Sequence, residues 1–202
     1  MKMTDELRST YNKIAQDYHR DHAVDSWDDD YTGYFIDLLP RGAVVLDLGC
    51  GPGTDTKKLV AAGLVVHGFD LSDEFLRIAQ EKNPGVDFIQ GDMRTLPYPT
   101  NIFDGVYAKA SLLHIPKADM LQALREIFRV VTPGGVVHVA IKAGDGEREV
   151  AEDDYGYAYQ RFFSYWSAAD FCTIIRKGGF EIMRYEEVTL GQTAWLKFLL
   201  QK

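Results

Sequence analysis

The residues with the most chemistry in them are Asp47-Leu48-Gly49-Cys50-Gly51-Pro52-Gly53-Thr54, directly after the apolar run Ala43–Leu48. Glycines at alternate positions let a backbone turn tightly and approach a ligand that side chains would block. A dinucleotide loop spaces its glycines G-x-G-x-x-G and turns helix amides toward a pyrophosphate. Here the spacing is G-x-G-x-G, with Asp47 two residues ahead of the first glycine. A carboxylate there repels a pyrophosphate and suits a ligand that carries positive charge. Asp70 follows Gly49 by 21 residues, at the end of the next apolar run, where a carboxylate can accept both hydroxyls of a ribose. That role fits either ligand class. His114 is placed where a base could act, although packing is the more ordinary use of such a histidine. Arg161 is the cation of an aromatic run, and an internal pair with a neighbouring acid is favoured over a substrate carboxylate. The five histidines and two cysteines show no metal-ligand spacing, so no metal is expected. No G-x-S-x-G elbow or Cys/His arrangement suggests a covalent nucleophile, and no residue is assigned as catalytic.

The elements that position these residues are legible as alternating apolar runs and helical patterns. Leu7, Tyr11, Ile14, Ala15 and Tyr18 share one face of a helix over residues 4–22. A second helix covers 31–39 and stops at Pro40-Arg41-Gly42. Strands are expected at 43–48, 64–69, 86–90, 102–108, 136–141, 180–188 and 193–200. Helices are expected at 54–62, after the N-cap Ser72, over 117–131, and after Ser167, whose partner Asp170 resembles a capping box. Thr132-Pro133-Gly134-Gly135 reads as a break. Alternation of this kind implies an α/β protein, its parallel sheet covered by helices on both faces, with an antiparallel strand added last.

The chain has 202 residues, of which 46% are hydrophobic and 26% charged, with a formal net charge of −8. That size fits a single domain over 1–202: a helical lid (1–42), a ligand-binding core (43–142), a cap insertion (143–166) and a C-terminal helix and strand pair (167–202). The acidic excess lies in two blocks, Asp25–Asp30 and Glu147–Asp154, each most simply a solvated loop. With no cluster of Lys or Arg to neutralise phosphates, nucleic acid and anionic membranes are not expected partners. No run approaches the length of a membrane helix, the N-terminal stretch is unlike a signal peptide, and two cysteines suit a reducing compartment, so a cytoplasmic protein is expected.

Four ordered segments carry a family resemblance. VVLDLGCGPGT resembles the first motif of the class I S-adenosylmethionine-dependent methyltransferases, and VHGFDLS resembles their second-strand acidic motif. QGDMRTLPYPTNIFDGVYAKASLLHI and REIFRVVTPGGVVHVAIK are similar to the segments that follow in the same family. The resemblance implies a Rossmann-like, doubly wound, seven-stranded and mostly parallel sheet with an antiparallel last strand, N-terminal helices and a small cap. It implies S-adenosylmethionine as cofactor and a small soluble methyl acceptor as partner. Carried over position by position, it places Gly49 and Gly51 against the methionine part of the cofactor, with Asp47 nearby. Asp70 would hold the ribose, Leu71 would pack on the adenine, Asp92 would accept from the adenine amino group and Met93 would lie beside the ring. The Ala108 carbonyl would meet the ammonium. Ala108-Lys109-Ala110-Ser111 lacks the catalytic polar motif that some branches carry there. Tyr11, Tyr18 and Arg161 are the candidate acceptor contacts, from two segments that could enclose an acceptor, the N-terminal helices and residues 143–166. Placing both acidic blocks at the mouth favours a neutral or cationic acceptor. A nicotinamide oxidoreductase and a non-catalytic cofactor-binding module are the competing readings.

Overall fold

A computed structural model describes residues 2–24 and 26–202; Asp25, one end of the first acidic block, lies outside them. Two helices, α1 (Lys2–Asp21) and α2 (Asp29–Asp37), precede the first strand. The alternating core comprises β1 (Val44–Leu48), α3 (Thr54–Ala61), β2 (Val65–Asp70), α4 (Asp73–Lys82), β3 (Asp87–Gln90) and β4 (Phe103–Lys109). A short 3-10 turn at Leu112–His114 leads into α5 (Lys117–Val130) and β5 (Val131–Lys142). A hairpin of β6 (Glu147–Glu152) and β7 (Tyr159–Ser164) precedes α6 (Ala168–Lys177), β8 (Glu181–Leu190) and β9 (Thr193–Gln201).

Seven strands form one sheet in the order β3-β2-β1-β4-β5-β9-β8. Pairing is parallel from β3 through β5, and β9 enters antiparallel between β5 and β8, as expected of the last strand. Strand alternation sends successive residues to opposite faces. Val45, Tyr107 and Leu199 pack toward α2 and α3, while Leu46, Val106 and Leu200 join α5 and α6 on the other face. Both faces are thus covered, which is why β1 and β4 read as largely apolar runs.

Local signals hold at the helix starts. Ser72 Oγ accepts from Phe75 N at 3.1 Å, and Ser167 Oγ accepts from Asp170 N while donating to Asp170 Oδ2. Two expectations need correction. The helix ends at Val130, just ahead of Thr132–Gly135, as the break implies, but the strand after it starts early: β5 begins at Val131 rather than 136 and carries a register irregularity against β4. Gly134 N bonds to Lys202 O, and Lys202 N to Gly135 O, so backbone from the far end of the chain satisfies this stretch. Nor is the first acidic block a solvated loop. Asp28 is fully buried, with Oδ2 2.6 Å from His138 Nε2 and Oδ1 3.2 Å from Lys197 Nζ, and Lys197 also reaches Asp30. These charges pin the turn before α2 to β5 and β9.

Candidate active site

β1 is flanked by β2 on one side and β4 on the other, and the chain order reverses there. Such a switch point opens a crevice beyond the carboxyl ends of the strands. A cavity of about 150 Å³ lies in that crevice, walled by the glycine loop, the ends of β2 and β3, residues 109–111 and, from above, α1. Gly49, Gly51, Asp70, Leu71, Asp92, Met93, Tyr11 and Tyr18 all line it, as does His114.

The loop is held by backbone. Gly49 N and Cys50 N both donate to Phe69 O, at 2.7 and 3.1 Å, which fastens the loop to the end of β2. Gly49 sits at φ +77°, and a Cβ there would stand 2.2 Å from Ser111 Cβ, so no side chain fits between the loop and the end of β4. Asp70 then ties three pieces together: Oδ2 accepts from Gly51 N at 2.9 Å and Oδ1 from Ser72 N at 2.8 Å. Burial raises its pKa, and those two amides work the other way.

Three expected contacts are corrected by geometry. Asp47 does not line the cavity: it is 3% exposed behind the loop, where Oδ2 accepts from Thr56 Oγ1 at 2.5 Å. Burial pushes its carboxyl up to about 7, so it braces the start of α3 rather than offering a full charge to a ligand. Ala108 is wholly buried in the sheet, because β4 runs one residue further than expected, and the lining falls to Lys109, Ala110 and Ser111. Arg161 makes the internal pair favoured for it, with Glu152 through two nitrogens, and as a candidate acceptor contact it does not reach the cavity wall. None of residues 143–166 does. The hairpin acts instead through α1, which it grips at Lys13 and Asp17.

Asp92 lines the cavity with both oxygens engaged by Arg94, which also reaches Asp119 and Thr4. Burial works to raise Asp92, and the Arg94 hydrogen bonds outweigh it, leaving the carboxyl below its ordinary range.

Sequence reasoning passed over Lys109, Asp55, Ser111 and Arg94. Lys109 Nζ stands 3.0 Å from Asp55 Oδ2 and 5.1 Å from the Trp27 ring centre, and both charged groups line the cavity. Ser111 Oγ is buried with no hydrogen-bond partner among the described residues. A lysine at the end of an apolar strand and a serine facing a glycine loop were the available signals.

His114 and Tyr11 meet across 103 positions, with Tyr11 Oη 2.6 Å from His114 Nε2, while His114 Nδ1 lies 2.7 Å from Phe162 O. Burial drives the His114 pKa down to about 3, helped by the nearby Arg161 and Lys142 and opposed by the Phe162 carbonyl. The imidazole is therefore neutral at pH 7. Burial also raises the Tyr11 phenol, with Arg161 opposing it.

Residues 45–135 match the family model described as methyltransferase domain. The demethylmenaquinone methyltransferase of Renibacterium salmoninarum is 32% identical over 143 residues, covering 69% of this chain and 60% of that relative. The 2-phytyl-1,4-naphtoquinone methyltransferase of Thermosynechococcus vestitus is 38% identical over 104 residues, covering 48% of this chain and 45% of the relative. The chain thus spans about 60% or less of the length of these curated relatives. Among solved structures, the 1,6-didemethyltoxoflavin-N1-methyltransferase of Burkholderia thailandensis, with bound 1,6-didemethyltoxoflavin and S-adenosylhomocysteine, superposes with a TM-score of 0.78. It covers 100% of this chain and 89% of its own at 22% identity, a likeness of fold. Residues 45–135 thus match a methyltransferase domain, on a fold shared with a neighbour that holds S-adenosylhomocysteine. Among the described residues, no group of three metal-ligating side chains is assembled, and no helix is long and apolar enough to cross a membrane.

Proposed function

We propose that this chain transfers a methyl group from S-adenosylmethionine to a small-molecule acceptor held under α1. The observation that carries the reading is Asp70, a half-buried carboxylate at the cavity wall that links the glycine loop to the start of α4. The lining fits the cofactor chemically. Asp70 keeps lone pairs for the ribose hydroxyls, Asp92 takes the adenine amino group by sharing an oxygen with Arg94, and Leu71 and Met93 give apolar contact to a flat base. At the β4 end, the unpartnered Ser111 Oγ and the Lys109–Asp55 pair suit a zwitterionic tail. When bound, S-adenosylmethionine supplies a methyl already activated by its sulfonium.

The protein's part is then geometry and exclusion of water. An in-line displacement needs the nucleophile about 3–3.5 Å from the methyl, and holding that arrangement can supply roughly 7–11 kcal/mol of the barrier. Leu7, Tyr11, Phe75, Ile115 and Pro116 wall the space beyond the glycine loop with apolar and aromatic surface. Three carboxylates against two cations in the lining favour a neutral or cationic acceptor over a phosphorylated one. The quinone-type acceptors named for the two curated relatives agree with flat walls. Calorimetry with S-adenosylmethionine and S-adenosylhomocysteine tests the reading, with micromolar binding expected and no binding at millimolar concentration overturning it. Turnover on anionic acceptors alone would remove the charge preference.

A further inference from the structure

The chain Phe162–His114–Tyr11 has a fixed direction. The Phe162 carbonyl offers only lone pairs, so the His114 Nδ1 facing it at 2.7 Å must carry the ring proton. His114 is neutral, so Nε2 holds a lone pair. The Tyr11 hydroxyl, 2.6 Å from Nε2, must then be the donor. Its proton is spent on the protein. Turning it toward the cavity would leave a buried ring nitrogen unpaired, a state folded proteins avoid. Arg161, held by Glu152, donates to the same phenol oxygen and takes one of its two acceptor directions, which leaves one lone pair. Phe75 and Tyr18 pack on the Tyr11 ring with centroids 5.3 and 6.0 Å away, which fixes where the oxygen sits. Tyr11 and His114 both line the cavity.

We infer that Tyr11 selects the acceptor by hydrogen-bond polarity: its oxygen offers the cavity its one remaining lone pair and no proton, so the group that takes the methyl carries an O–H or N–H. Phenols, hydroquinones, and primary or secondary nitrogens satisfy that oxygen. Thioethers, tertiary amines and ethers bring lone pair against lone pair and are rejected. Tyr11 is the contact, and His114 is the positioning residue that holds its proton away. The inference rests on the methyl-transfer reading above and narrows its substrate class.

The test uses the full chain saturated with S-adenosylhomocysteine and two probes on one flat ring, 1-naphthol and 1-methoxynaphthalene, measured by calorimetry. The wild type is expected to bind the naphthol about tenfold more tightly, the difference of one hydrogen bond. Tyr11→Phe is expected to bring the two within about threefold. His114→Leu frees the phenol proton, so affinity for the ether is expected to rise, an effect that mere loss of packing would not produce. Equal affinities in the wild type, an undiminished ratio in Tyr11→Phe, no gain for the ether in His114→Leu, or no binding of either probe each overturn the inference. Failure to bind S-adenosylhomocysteine overturns the underlying reading first, and this inference with it. Saturation by S-adenosylhomocysteine with equal probe affinities overturns this inference alone.

Discussion

Asp47→Asn separates a carboxylate that braces the glycine loop from one that binds the ligand. In the folded chain its carboxyl titrates at about 7, against 3.8 as the reference value, because burial disfavours the charge. Between those two values the folded protein keeps a proton the unfolded chain has lost, so this group's contribution to stability falls as pH rises from about 4 to 7. A shift of roughly three units corresponds to about 4 kcal/mol at 1.36 kcal/mol per unit, and solvent screening takes little from it at 3% exposure. Asparagine imitates the protonated form, and its carbonyl can still accept from Thr56 Oγ1. The variant should match the wild type near pH 4 and exceed it above pH 7, with about 4 kcal/mol as the ceiling. Urea unfolding at pH 4.5, 7 and 8.5 measures this. Affinity for S-adenosylhomocysteine should change by less than tenfold, which is 1.4 kcal/mol. A variant less stable at pH 8.5, or one that loses tenfold or more in affinity, would show that the ionised carboxylate is required and would refute the bracing role.

Four further outcomes are expected. Asp70→Ala should lower S-adenosylhomocysteine affinity at least tenfold by calorimetry. It should also cost stability, about 1–3 kcal/mol for each amide left unpaired at Gly51 and Ser72. Gly49→Ala combines φ +77° with a 2.2 Å approach to Ser111 Cβ, and should cost roughly 2–5 kcal/mol in denaturant unfolding; wild-type stability would mean the loop is looser than described. Lys197→Met strips the cation from buried Asp28 and should cost about 3–5 kcal/mol, read as a fall in urea midpoint. His114 stays neutral down to about pH 3 when folded, but its unfolded reference is 6.5. Below 6.5 the unfolded chain takes a proton that the folded one refuses, so this contribution is lost as pH falls toward 3. His114→Gln should flatten that part of the stability–pH curve, and an unchanged slope would count against the burial of the ring.

What could be read without coordinates was what local chemistry decides. Ser72 and Ser167 cap their helices because the amides they satisfy lie three residues away. Apolar runs buried on both faces declare a parallel sheet wherever they fall. Positions facing the cavity were also legible where a strand end dictates them, as for Asp70 and Leu71 at the end of β2. Tertiary geometry decides the rest. Asp47 is two residues from Gly49, yet Thr56, reached only after the loop has turned, claims its oxygen. One extra residue of pairing in β4, Lys109 against Ala140, moves the cavity wall from Ala108 to Lys109 and Ser111. Contacts that span the chain, such as Tyr11 with His114 and Asp28 with His138, leave no periodic trace for a pattern to find.

Helix α1 and Asp70 share one partner. Ser72 gives its amide to Asp70, caps α4 through Phe75 N, and donates its hydroxyl to Asn12 Oδ1 in α1 at 2.7 Å. Asn12 also donates to Asp73 Oδ1 at 2.8 Å. The next residues along α1 reach outward, Tyr11 to His114 and Lys13 to the Ala158 carbonyl, while Tyr157 donates to Asp17. These contacts are half-buried or exposed, and each such hydrogen bond is worth about 0.5–1.5 kcal/mol net. Helix α1 is therefore held on the core by several weak bonds in parallel. Because Ser72 belongs to both sets, a ligand that orders Asp70 also orders the anchor of Asn12, one residue from Tyr11. On the methyl-transfer reading proposed above, placement of the cofactor ribose and placement of the acceptor contact would be parts of one mechanical unit, joined at the first turn of α4.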